Sequence, residues 1–235
     1  MCGRYTLAPG QGDWEFADVR VQWDGKPRYN IAPSQRAPVI ITERGVPVLT
    51  EMQWGLVPSW ATDPKIAFSL VNARSESAAT KPAFRAAFRY RRCLVPADGF
   101  YEWQTIGKKK QPWRFVRPDR GLFAFAGLWE AWSAPGRPNE VLHTFSLMTT
   151  TPNIVTEPVH DRMPVILEES GVRPWLEEST SLEVLQSLLH PYPAELLTRY
   201  PVSALVGNPK NDGMECIAEV ALGSSETQVV QGQLW

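Results

Sequence analysis

Cysteine is scarce: the 235 residues hold three, Cys2, Cys93 and Cys216. They lie far apart, are odd in number and include no CxxC pair, so neither a disulfide framework nor a structural zinc site is indicated. No cofactor and no metal are expected. No apolar run approaches the roughly 20 residues of a membrane span, and no membrane partner is expected. The N-terminus lacks a basic segment followed by an apolar stretch, which argues against a secretory signal and for a reducing, cytosolic compartment. Repeats and low-complexity linkers are absent as well. Histidine is rare, with three in the chain, so each one invites inspection.

What the chain has is apolar and aromatic. It is 43% hydrophobic with ten tryptophans, a composition that belongs to a folded protein with a real core. Its 21 prolines are spread throughout and favour short strands and turns over long helices. Strand-like patterning is read at Val39–Thr42, Val46–Trp54, Arg92–Val95, Trp113–Val116, Leu122–Gly127, Leu142–Thr149, Met163–Leu167 and Val202–Val206. Helices are predicted at Asp13–Val19, Lys81–Tyr90, Gly171–Glu178 and Ser181–Leu189. In the last, Ser181 caps and Leu182, Leu185, Leu188 and Leu189 make an apolar face. The expected class is α+β: a single domain over 1–235 with a mostly antiparallel, barrel-like core and short peripheral helices.

Net charge is −1, but its distribution is uneven. Residues 1–120 carry 19 of the 24 Lys+Arg and 11 of the 25 Asp+Glu, a net of +8; the remainder is net −9. Either the first half presents a polyanion-binding face, or the halves interleave in space and the charges mix.

The sequence opens Met1-Cys2-Gly3-Arg4. Removal of one methionine would expose a cysteine whose thiol and α-amine sit on adjacent carbons. Both groups titrate near neutrality, at about 8.5 and about 7.7–8.0. Together they can capture one aldehyde carbon and close a thiazolidine ring, which no internal cysteine can do. The plain alternative is an ordinary residue at the start of a strand.

Other segments admit both chemical and structural readings. In Asn72-Ala73-Arg74-Ser75-Glu76, Asn72 is suited to orient an amine or carbonyl and Arg74 to grip a phosphate; taken alone, a turn and helix start with solvated charges is the favoured reading. Asp98-Gly99 suggests a tight turn. Glu102, between Tyr101 and Trp103, either has its pKa raised by an aromatic environment or points into solvent. His160, in a loop bounded by Pro158 and Pro164, is a candidate proton shuttle. His143 reads as structural and His190 as a helix C-terminal dipole partner. Trp54 and Trp60 flank a Gly/Pro bend; exposed tryptophans stack on bases, but most of ten must be core. Arg85 and Arg89 share a helical face with Arg91 and Arg92 nearby, and this basic run suits phosphate tracking. Lys108–Lys110 reads as an exposed hairpin.

Taken in order, the segments starting at Met1, Tyr29-Asn30-Ile31-Ala32-Pro33-Ser34, Trp54 to Trp60, Asn72 to Glu76, Arg92 to Trp103 and His160 to Leu167 closely resemble the SOS-response-associated peptidase family, also called abasic-site processing proteins. The resemblance runs from residue 2 to about 219, leaving 220–235 as a tail. It implies a β-barrel-like fold and a covalent thiazolidine link between Cys2, freed of Met1, and an abasic site in single-stranded DNA. By motif position it assigns Cys2 as nucleophile, Asn72 as the group positioning the amine, and Glu102 and His160 as acid–base groups. It implies phosphate contacts at Arg4, Arg74 and Arg162, and a stacking block at Trp54 to Trp60. Basic surroundings are expected to activate the Cys2 thiolate. Gly207 stands where the family commonly has asparagine. A monomer that meets damaged DNA in a bacterial-type cytoplasm is expected. Competing readings are an N-terminal-cysteine amidotransferase, which shares the opening residues but not the downstream segments, and a non-covalent single-strand-binding module.

Overall fold

A computed structural model of the chain describes residues 2–9 and 12–222. Met1, and residues 223–235 of the expected tail, lie outside the described residues. In chain order the strands and helices are β1 (Tyr5–Leu7), β2 (Gly12–Phe16), β3 (Val19–Trp23), β4 (Arg28–Ile31), β5 (Arg36–Glu43), β6 (Val46–Trp54), β7 (Asn72–Arg74), α1 (Arg85–Tyr90), β8 (Arg92–Ala97), β9 (Gly99–Ile106), β10 (Lys109–Val116), β11 (Phe123–Ser133), β12 (Val141–Thr150), β13 (Met163–Pro164), α2 (Glu169–Leu176), α3 (Leu182–Ser187) and β14 (Thr198–Pro201).

Strands β11, β8, β5, β6 and β12 follow one another, and β11 also pairs with β12, so the five close into a barrel. Most pairings are antiparallel; β12 runs parallel to β6 and to β7. Beside the barrel lies a second sheet in the order β14-β10-β9-β1-β4. The fold is α+β with a mostly antiparallel, barrel-like core and short helices, as the patterning predicts. Its interior is aromatic. Phe100 stacks on Phe115 at 4.8 Å, while Tyr5 meets Trp54 edge-on at 5.3 Å and Phe125 at 5.8 Å. Each such pair adds roughly 0.5–1.5 kcal/mol beyond area burial.

The two sheets are joined by one continuous run. β8 belongs to the barrel and β9 to the second sheet, with Asp98 between them. Asp98-Gly99 is therefore a bend that hands a strand from sheet to sheet, not the tight turn expected. Glycine is required by packing: a Cβ on Gly99 would lie 2.8 Å from Arg114 Nε and 2.9 Å from Thr6 Oγ1. Arg114 fills that space and donates to Asp98 Oδ2 at 2.6 Å, Thr6 Oγ1 at 2.9 Å and Tyr200 Oη at 2.7 Å.

Two elements differ from expectation. Asp13–Val19 is not helical; it spans β2, the turn Ala17–Asp18 and the start of β3. Trp14, Phe16, Val19 and Val21 alternate inward along this hairpin, the period-2 signature of strands, and Ala17 takes the turn with φ 54°. Val202–Val206 is not a strand either: β14 ends at Pro201, and Ala204–Gly207 forms a 3-10 turn capped by Ser203. The remaining patterning holds in outline. Ser181 caps α3 by accepting from Val184 N at 3.3 Å. Leu185 and Leu189 are buried, but Leu182 is exposed. Lys109 pairs with Ile106 across an exposed hairpin, where Gly107 has φ 61°.

Candidate active site at the amino terminus

The residues leading into β1, the start of β7, β9 and the 151–162 loop converge here. Cys2 is wholly buried, and Asn72 Nδ2 donates to its carbonyl at 2.8 Å. Asn72 opens β7, which is laid alongside β12 with Asn72 opposite Leu147. Its Oδ1 is buried and has no hydrogen-bond partner among the described residues. Tyr101 N donates to Arg4 O at 3.0 Å, fixing the Cys2 segment to β9 at the residue just before Glu102.

Glu102 is 3% exposed. Burial pushes its carboxyl up to about 7, with the positive charge of the chain's amino terminus pulling the other way. Of the two readings its sequence allows, the buried one holds. The same burial, and then the Glu102 charge, push the Cys2 thiol far above its ordinary range. This corrects the expectation of a thiolate activated by basic surroundings: the sulfur is a protonated thiol beside a carboxyl.

His160 is half-buried, and desolvation is the main cause that lowers its pKa. Its Nδ1 accepts from Arg162 N at 3.0 Å, which in the neutral ring leaves the proton on Nε2. Asp161 Oδ1 lies 2.8 Å from the same Nδ1 and favours the doubly protonated ring. The loop is held by Asn153, whose Oδ1 accepts from Val155 N at 3.1 Å and Thr156 N at 3.0 Å. His160 N in turn donates to Thr156 O at 3.0 Å.

The expected DNA-contact residues divide. Arg74 and Arg85 are exposed, with no side-chain hydrogen bond or ion pair among the described residues. Trp60 is 59% exposed. Trp54 is fully buried; it stacks on Phe145 at 6.2 Å and donates to Val71 O at 2.8 Å, so it fixes the residue before Asn72 rather than meeting a base. Arg4 is engaged within the fold. Its guanidinium is taken by Asn30 Oδ1 at 2.9 Å, Val206 O at 2.6 Å and Gly207 O at 3.1 Å, which ties β1 to the 204–207 turn. Gly207 contributes only its carbonyl there, and a Cβ would meet nothing within 4 Å. Arg162 forks onto Glu76 at 2.5 and 2.9 Å and donates to Thr149 O at 2.7 Å. Arg92, in the expected phosphate-tracking run, is buried and donates to Trp175 O at 2.7 Å and Phe88 O at 3.1 Å.

Ion pairs Arg28–Asp212 and Arg91–Glu130 cross between the basic and acidic halves, so the charges do interleave. His143 is exposed beside Trp129, and His190 lies 3.6 Å from Glu168. Glu76 and Gln104 are structural partners of the site that sequence reasoning missed. Glu76 was in view as part of a motif, but its Arg162 partner lies 86 residues away, beyond any local pattern.

The arrangement is a five-stranded barrel with a buried cysteine at position 2, held by an amide and close to a buried carboxyl. The chain belongs to the SOS response associated peptidase (SRAP) family, whose match covers residues 1–209. It is 43% identical over 229 residues to the abasic site processing protein YoqW of Bacillus subtilis, covering 92% of this chain and 99% of that one. It is 33% identical to the abasic site processing protein HMCES of Xenopus tropicalis, covering 94% and 79%. A crystal structure of a Bacteroides thetaiotaomicron protein superposes with a TM-score of 0.74 at 28% identity, over 82% of this chain and 85% of that one.

Proposed function

We propose that this protein captures abasic sites in single-stranded DNA as a thiazolidine formed by Cys2 after Met1 is removed. The observation that carries the reading is Glu102: a buried carboxyl held near pH 7 beside the Cys2 thiol. Relatives named abasic site processing proteins support the choice of electrophile.

The chemistry closes with these residues. Hydrolysis of the Met1–Cys2 peptide bond consumes one water and leaves a Cys2 α-amine. Asn72 Oδ1, buried and without a hydrogen-bond partner among the described residues, is an acceptor for that amine's N–H. The abasic sugar is mainly a cyclic hemiacetal. His160 in its doubly protonated form gives its Nε2 proton to the ring oxygen as its bond to the anomeric carbon breaks, and the anomeric hydroxyl returns a proton to the imidazole as the aldehyde forms. The amine adds to the aldehyde carbon, and Glu102 takes its extra proton. Glu102 passes that proton to the alkoxide oxygen, and a second proton, drawn from solvent through Glu102, lets the hydroxyl leave as water and gives an iminium. The Cys2 sulfur then bonds to the iminium carbon, and its proton passes to Glu102. Overall, aldehyde and aminothiol yield thiazolidine and water.

Arg74 and Arg85 contact phosphates, while Trp60 occupies the stacking position beside the lesion. The protein acts as a monomer on damaged DNA in the cytoplasm.

The test is incubation of the purified protein with a single-stranded oligonucleotide bearing one abasic site, run on a denaturing gel. Wild type gives a heat-stable shifted band, and Cys2→Ser gives none, because an oxazolidine is less stable than a thiazolidine. A wild-type lane without the band, or an equal band from Cys2→Ser, refutes the proposal.

A further inference from the structure

Glu102 and His160 sit on separate elements, a strand and a loop. Two groups that exchange protons with one reacting centre need fixed relative positions, and errors on the scale of 1 Å are costly. Something must set the loop against the strand. Gln104 lies two residues beyond Glu102 on β9, and residues two apart on a strand share a face. Its Nε2 donates to Pro158 O at 2.9 Å, two residues before His160. Its Oε1 accepts from Trp113 Nε1 at 3.0 Å, which fixes the orientation of the amide. Trp113 stands on β10 opposite Glu102. Arg199 lies over the Trp113 ring at 5.0 Å and also donates to Val155 O in the same loop. Strand, indole, guanidinium and loop therefore form a closed circuit in which the Gln104 amide is the strut nearest to both acid–base groups.

We propose that Gln104 is a positioning residue that sets His160 against Glu102 by holding the 151–162 loop to β9. The inference rests on the abasic-site reading for its rate measurement but not for its structural one. Around His160 the charged groups are Asp161 and Arg162 on its own loop, Lys110 from β10 and the chain's amino terminus. Gln104 is neutral, so its substitution by alanine changes none of these charges and reports position alone.

The test uses full-length Gln104→Ala and Gln104→Lys; lysine keeps a donor for Pro158 O. Adduct formation is timed at saturating oligonucleotide across pH, and non-covalent affinity is measured in a Cys2→Ala background. Gln104→Ala is expected to slow adduct formation roughly ten- to hundred-fold with affinity unchanged, and Gln104→Lys to recover most of the rate. In parallel, the His160 ring is titrated by NMR in the DNA-free protein. Gln104→Ala is expected to raise its pKa as the loop loosens and water enters. An alanine variant with an unchanged rate and pH profile overturns the inference, as does one that loses affinity and rate together. If wild type forms no adduct, the function reading fails, and an unshifted His160 titration alone then overturns the positioning role.

Discussion

Asp98 and Glu102 are both buried carboxyls, four residues apart on the run that joins the two sheets, yet they face opposite situations. Asp98 meets Arg114 at 2.6 Å and accepts from Ala8 N at 3.0 Å, so its charge is answered on both oxygens. Glu102 faces a thiol, and burial holds it near pH 7. One carboxylate anchors the crossover between sheets; the other is kept where a proton leaves or arrives with little driving force. Both are buried; Asp98 is paired with a guanidinium, while for Glu102 desolvation outweighs the pull of the chain's amino terminus.

That contrast can be broken at either end. The largest effect is expected for Asp98→Asn, which leaves Arg114 buried without a counter-charge. It should cost about 3–5 kcal/mol of stability, read as a lower urea midpoint. A loss below about 1 kcal/mol would mean that Arg114 finds compensation elsewhere.

Glu102→Gln should do the reverse to stability. The folded carboxyl titrates at about 7 against an ordinary 4.5. Below pH 4.5 both states are protonated and the carboxyl costs nothing. Between 4.5 and 7 the unfolded chain ionises first, so wild-type stability falls as pH rises; above 7 the cost is complete. At about 1.4 kcal/mol per pH unit, the variant should gain up to about 3 kcal/mol at pH 8 and nothing at pH 4, while adduct formation drops about a hundred-fold or more. Thermal melts at the two pH values check it, and an equal change at both would contradict it.

The smallest effect extends the comparison to arginines. Arg114 is buried and paired, whereas Arg74 is exposed with no ion-pair partner among the described residues. Arg74→Ala should leave the melting temperature in place and lower the salt slope of DNA binding by about one. An unchanged slope would remove Arg74 from the DNA surface.

How much of this could be read from residue order follows the range of the interactions. β6 matches Val46–Trp54 because its pattern is local. The β2–β3 hairpin was missed because Ala17–Asp18 breaks its alternation with two small or polar residues, and Ala17's positive φ leaves no mark in sequence. Cys2, Asn72, Glu102 and His160 stand out by residue type and by family motif. What they lack in sequence is their fixtures. Arg4 looks like any exposed basic residue until the 204–207 turn folds back on it, about 200 residues later. Trp54 and Trp60 are indistinguishable as letters; only the barrel decides which one is core. The thiol's state was misread for a related reason: sequence lists nearby charges but not the burial that outweighs them.

The central claim is that both nucleophiles of Cys2 end on one carbon. The direct measurement is the composition of the adduct. Its intact mass should equal that of the protein lacking Met1 plus the oligonucleotide, less one water. An imine would have the same mass, so the purified adduct is denatured and alkylated with iodoacetamide. A thiazolidine consumes the Cys2 thiol and leaves Cys93 and Cys216, so the adduct should take up two alkyl groups where the free protein, with three cysteines, takes up three. Three groups on the adduct, or a mass that retains Met1, would contradict the account.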